Sequence, residues 1–128
     1  MAALWFVFAA AILVILSKVP LALAMAKEGK GYNNRHPRLQ QERLAGWGKR
    51  AHAAHYNTIE SFPIFAAGMI IGHFAQGNPD GLLLCGVIFL ICRILYIYFY
   101  IADIHLMRSM VWGIAYFASL AAYLLALI

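Results

Sequence analysis

Apolar residues fall along this chain in four long blocks, 4–26, 55–74, 82–102 and 107–128, with polar stretches between them. Inside each block the apolar run is continuous and shows no period of two. That argues against a membrane barrel, whose strands alternate lipid-facing and lumen-facing residues. Each block is close to the ~20 residues that an α-helix needs to cross ~30 Å of hydrocarbon. The pattern predicts an all-α membrane protein: one domain over residues 1–128, folded as a four-transmembrane-helix bundle, with a polar loop at 27–50. A bundle this small has little interior for a ligand, so association into oligomers is expected.

Composition agrees. Hydrophobic residues make up 64% of the chain and charged residues 12%, too little polar material to cover a soluble domain. The basic charge is concentrated. Lys27, Lys30, Arg35, Arg38, Arg43, Lys49 and Arg50, seven of the ten Lys and Arg, lie in the first loop. By the positive-inside rule that loop is cytoplasmic and both termini lie on the opposite side. Arg108 in the third loop agrees, as does the 76–81 turn, which has no basic residue. A bacterial inner membrane or an ER-type membrane fits. Basic loops beside spans contact phospholipid headgroups, so membrane lipids are the expected partner and nucleic acid is not. The first block ends with Ala-x-Ala spacing, as a cleavable signal peptide does. No positive residue precedes the run, however, and a retained helix is expected. Cys85 and Cys92 lie seven apart on one helix, roughly 10 Å along its axis, and cannot bond to each other.

Against this apolar background Glu60 stands out. A carboxylate at bilayer depth is costly and marks a functional site by default. Its counterpart is Arg93 in the third block. The turn Asn78-Pro79-Asp80-Gly81 folds the second and third blocks into an antiparallel hairpin. Counted from their cytoplasmic ends, Glu60 and Arg93 both lie roughly 14 Å deep. Opposite charges at matched depth offset most of the cost of burying either alone. Arg93, Tyr96 and Tyr100 follow at spacings of three and four and so share a helix face, with Asn57 one turn from Glu60. The expected result is a polar column between helices that opens towards the cytoplasm; glue between helices is the alternative use of the same groups. Pro63 removes a backbone donor and frees the carbonyl of Ile59 beside Glu60. Arg108, in the first turn of the last helix, adds a cation to an already positive helix end and favours an anion nearby. Residues 40–50 read as a short helix ahead of the second span, with Trp47 as an interfacial anchor. His52, His55 and His105 lack a completing ligand, so no metal site is expected.

The segment Asn57-x-x-Glu60-x-Phe62-Pro63, followed at the right distance by Arg93-x-x-Tyr96-x-x-x-Tyr100, resembles the MAPEG family, the membrane-associated proteins of eicosanoid and glutathione metabolism. The resemblance covers nearly the whole chain. It implies a homotrimer with glutathione as co-substrate, bound between subunits near the cytoplasmic side. Asn57, Glu60, Arg93, Tyr96 and Tyr100 then correspond to the glutathione contacts, with His55 and Arg50 as additional ones. It implies a transferase or peroxidase whose glutathione thiolate attacks a lipophilic electrophile or a lipid hydroperoxide. Two positions depart from the family pattern. Ala53 stands where the eicosanoid synthases have an arginine, with Arg50 one turn earlier. Met107 stands at the register of the thiolate-activating arginine, with Arg108 one later as the catalytic candidate. A non-catalytic member that binds a lipid or a glutathione conjugate is the second reading. A small membrane exporter built on Glu60 is the third.

Overall fold

The computed structural model describes all residues, 1–128, and every regular element is helical. The helices are α1 (Ala2–Ala26), α2 (Pro37–Arg43), α3 (Gly46–Phe74), α4 (Pro79–Ile101) and α5 (His105–Leu124). Each of the four long helices contains most or all of one apolar block. Two of them, α1 and α4, are long and apolar enough by themselves to cross a membrane. α3 and α5 have comparable length, 29 and 20 residues, but carry the polar side chains described below.

Two boundaries differ from the sequence reading. The helix expected over 40–50 is broken: α2 stops at Arg43, and Leu44 and Ala45 take extended conformations (ψ 145° and 169°). Gly46 then starts α3 at φ 56°, a left-handed value that only glycine adopts without cost. As a result α3 begins well ahead of the apolar block at His55. Hydrophobicity marks where a helix meets lipid, not where its hydrogen-bond ladder starts.

The ends of the helices are chemically defined. Asn78 caps α4 by accepting the Gly81 N–H at 2.9 Å, with Pro79 in the first turn where its missing donor is harmless. α3 and α4 close in the same way. Gln76 (φ 59°) and Asp103 (φ 63°) turn left-handed. The following N–H groups reach back, Gly77 to the Gly72 carbonyl at 2.9 Å and Ile104 to the Phe99 carbonyl at 2.8 Å. These closures satisfy carbonyls that a helix end otherwise leaves orphaned. They also make both reversals tight, so α3, α4 and α5 run antiparallel to their neighbours in the chain.

The main core joins all four long helices. Phe65 on α3 and Phe89 on α4 stack face to face, with centroids 3.7 Å apart and planes 3° apart. Ala3 and Ala10 come from α1, and Val111, Ala115 and Ala122 from α5. Small residues let the backbones close in, as expected of helices packed in lipid. Gly86 on α4 is the tightest case, because a Cβ there would overlap the ring of Phe6 on α1. A second cluster, Leu21, Ala24 and Met25 with Leu44 and Ala51, pins the end of α1 to the start of α3. The outer surface is apolar: Trp5, Phe8 and Ile15 on α1 and Phe117 on α5 are all more than half exposed. In water such a surface would aggregate; facing acyl chains it is ordinary.

Candidate functional site

Because the 75–78 turn is tight, α3 and α4 bring Arg93 level with the polar face of α3. Arg93 is 1% exposed. Its Nη1 donates to Asn57 Oδ1 at 3.0 Å and its Nη2 to Thr58 Oγ1 at 3.2 Å. The Thr58 hydroxyl in turn donates to the Ala54 carbonyl at 2.8 Å. Asn57 then passes its own Nδ2 to Glu60 Oε2 at 3.5 Å. Glu60 and Arg93 are thus linked through Asn57 and form no direct ion pair. Asn57 and Thr58 point at α4, while Glu60, three residues on, is rotated off that line and stays exposed. Neutral acceptors hold the buried guanidinium, and the carboxylate avoids the desolvation that a buried contact would impose.

Thr58 is the residue that sequence reasoning overlooked. Its one signal was a hydroxyl next to Asn57 inside an apolar block. Threonine is so easily accommodated in spans by bonding back along its own helix that the signal carried little weight.

A ladder of cations and rings leads away from Arg93. Its guanidinium lies 4.2 Å from the centroid of Tyr96. Tyr96 meets Tyr100 edge to face at 5.5 Å. Tyr100 carries the guanidinium of Arg108, from α5, at 4.5 Å. Cation–π contacts of this kind are stronger where water is scarce. Tyr98 is 61% exposed and lies outside the ladder. Met107, one residue before Arg108, is exposed. Arg108 therefore faces the ladder although it stands one position from the register of the resemblance.

The space around these groups divides in two. Behind Arg93, among Ser61, Phe89, Trp112 and Ser119, the cavity is only about 20 Å³, enough for one water. The Arg93 Nε is buried without a partner. On the outside, Tyr96, Tyr100, Arg108, Ser109 and Trp112 line an open groove of about 230 Å³. No tripeptide fits inside this single bundle. The room lies on its flank, in the groove of Tyr96, Tyr100 and Arg108.

The structure thus brings Asn57, Glu60, Arg93, Tyr96, Tyr100 and Arg108 into one connected arrangement. His55 and Arg50 are engaged elsewhere. His55 is buried against α1, its Nδ1 2.8 Å from Ser17 Oγ. Arg50 donates from Nε to the carbonyl of Ile101 at 2.9 Å. That contact puts a cation on the negative end of α4. Near this end His52 packs edge to face on Tyr56 at 4.7 Å. Burial holds its imidazole below the usual histidine range, partly opposed by Glu42.

Comparison with curated proteins and with solved structures gives no match. Comparison with family models gives one, MAPEG family, over residues 2–128. The match spans essentially the whole chain and includes every residue of the arrangement above. The chain therefore belongs to the MAPEG family, membrane helical bundles related to glutathione and eicosanoid metabolism.

Proposed function

We propose that this protein is a glutathione-dependent transferase or peroxidase of the membrane. It works as a homotrimer of four-span subunits, with the basic loop and the mouth of the site on the cytoplasmic side. The observation that carries the proposal is the ladder Arg93–Tyr96–Tyr100–Arg108, which opens onto a groove that one subunit leaves unroofed. A neighbouring subunit would supply the missing wall. Glutathione carries two carboxylates, an ammonium and a thiol. Arg108 and the tyrosine hydroxyls suit the acidic parts, and exposed Glu60 suits the ammonium. Asn57 lies between Glu60 and Arg93, and Arg93 adds its positive field while holding Asn57 in place. Arg50 and His55 belong to this proposal as supports, stiffening the ends of α4 and α1.

The chemistry needs a thiolate. A free thiol with a pKa near 8.5 is mostly protonated at neutral pH, and a neighbouring cation lowers that value. Arg108 is such a cation, in the first turn of α5, where the helix dipole adds to its field. The thiolate attacks an electrophilic carbon, a C–S bond forms, and the leaving group departs with the displaced electron pair. With a hydroperoxide it attacks the distal oxygen and releases an alcohol. A second glutathione then gives the disulfide and water. Lipophilic substrates reach the groove from the bilayer.

The second reading, a non-catalytic binder of a lipid or a glutathione conjugate, is favoured by one observation. Met107 stands where the resemblance places the activating arginine, and Arg108 is already engaged with Tyr100. Glutathione binding to detergent-purified protein, followed by turnover of an aryl halide electrophile, separates the readings. Binding with turnover supports the enzyme. Binding without turnover selects the second reading, and absence of binding removes the enzyme and leaves only the lipid-binding form of the second reading.

A further inference from the structure

A cavity larger than the groove lies away from it, in the connection between α1 and α3. It measures about 410 Å³, and Glu28, Lys30, His36, Leu39, Gln40 and Arg43 form most of its wall. That volume is within the range of small-molecule sites. The wall is built rather than slack. Gln40 is buried and donates from Nε2 towards the carbonyls of Met25 (3.1 Å) and Gly31 (3.0 Å) and to Glu28 Oε2 (3.2 Å). Its Oε1 accepts the Asn33 N–H at 2.8 Å. Asn33 Oδ1 accepts the N–H groups of Arg35 and His36, both at 3.0 Å.

The charges in this wall have an order. Lys30 and Arg43 are exposed cations. Glu28 gives one oxygen to Gln40 and keeps the other free. The cavity begins two residues beyond Ala26, the last residue of a helix long enough to span. It therefore sits at the level of the lipid headgroups. Tyr32, Leu39 on α2 and Trp47 in the first turn of α3 are exposed, and Lys27 lies 5.5 Å over the Trp47 ring. Aromatic rings beside lysine are typical of that layer.

We propose that this cavity binds the headgroup of a phospholipid with a primary ammonium, of the phosphoethanolamine type. Lys30 and Arg43 take the phosphate, and the free oxygen of Glu28 takes the ammonium. An anionic headgroup such as phosphoglycerol has the same phosphate but offers Glu28 only a neutral hydroxyl, without the ammonium charge. A choline headgroup has no N–H to donate to it. Leu39 is the one apolar part of the wall and faces the acyl chains.

The test uses the full-length protein in detergent, with retained lipid counted by native mass spectrometry. The probes are dioleoyl phosphatidylethanolamine, phosphatidylglycerol and phosphatidylcholine, and free glycerophosphoethanolamine as soluble competitor. The ethanolamine lipid is expected to be retained about tenfold better than the other two, the size of one charge-assisted hydrogen bond. Lys30→Gln and Arg43→Gln should each lower its retention about as much. Glu28→Gln should abolish the preference over phosphatidylglycerol. Arg38→Gln, on α2 but outside the cavity wall, should change nothing. Equal retention of the three lipids, or a preference that survives Glu28→Gln, would overturn the proposal. So would a loss in Arg38→Gln as large as in Arg43→Gln, which would reveal diffuse attraction. Binding of the soluble headgroup without retention of the lipid would overturn the lipid assignment.

Discussion

The guanidinium of Arg108 on α5 lies 4.5 Å from the ring centroid of Tyr100 on α4, across the mouth of the groove. Between them the two residues decide where an anion can rest. The short reversal at Asp103 sets this contact, because it starts α5 at His105 and turns Arg108 inward while Met107 stays exposed.

If Arg108 stabilises the thiolate, Arg108→Ala should lower turnover about a hundredfold, as loss of one preorganised charge partner does elsewhere, and weaken glutathione binding much less. The pH–rate profile should move to higher pH, because the thiol regains its ordinary pKa. Steady-state kinetics across pH, with thiolate absorbance of the bound ligand, checks this. An unchanged profile would show that Arg108 is not the activating cation.

Glu60 and Thr58 should separate binding from stability. Glu60 is exposed and holds only a 3.5 Å contact, so Glu60→Gln should weaken glutathione binding about tenfold and leave the melting temperature unchanged. Thr58→Val leaves a buried guanidinium N–H without its acceptor, which costs about 1–3 kcal/mol. It should lower the melting temperature in detergent. Isothermal titration alongside thermal unfolding distinguishes the two; a stability loss in Glu60→Gln would contradict the assignment.

His55 should behave as a bundle residue. His55→Leu and Ser17→Ala each break the 2.8 Å contact between α3 and α1 and should cost about 1–3 kcal/mol. The double variant should lose less than the sum. Glutathione affinity per folded molecule should stay within about twofold, well under the tenfold that one hydrogen-bond contact commands. A larger drop would return His55 to the ligand.

Gly86→Val places a branched side chain where Phe6 packs, and overpacking of this kind costs about 1–3 kcal/mol. Folding yield and melting temperature should fall. Phe6→Ala in the same chain should recover part of the loss, because it opens the space that valine needs. Failure of that rescue would mean that α1 and α4 do not meet at Gly86.

Much of this protein is legible along the chain because lipid is a simple solvent. Four apolar blocks, a basic loop and the two charges that interrupt the apolar blocks, Glu60 and Arg93, stand out because polar groups are costly in hydrocarbon. That Arg93 and Glu60 belong to one arrangement also follows from the hairpin turn at Asn78. The form of their connection was not legible. It depends on the rotation of α3 about its axis, which aims Asn57 and Thr58 at Arg93 and leaves Glu60 outside. An apolar block facing lipid on one side and small residues on the other has too little periodic contrast to reveal that rotation.

The order of residues by itself determined the helical class, the apolar blocks that the long helices carry, and the grouping of Asn57, Glu60, Arg93, Tyr96 and Tyr100. Only the tertiary structure decided that Asn57 mediates between the two charges, that Arg108 reaches Tyr100 despite its shifted register, and that His55 serves α1. The physical reason is distance dependence. Burial energy is summed over whole segments and survives in composition, whereas a hydrogen bond or a ring contact exists only within a few ångströms and depends on how helices rotate against one another.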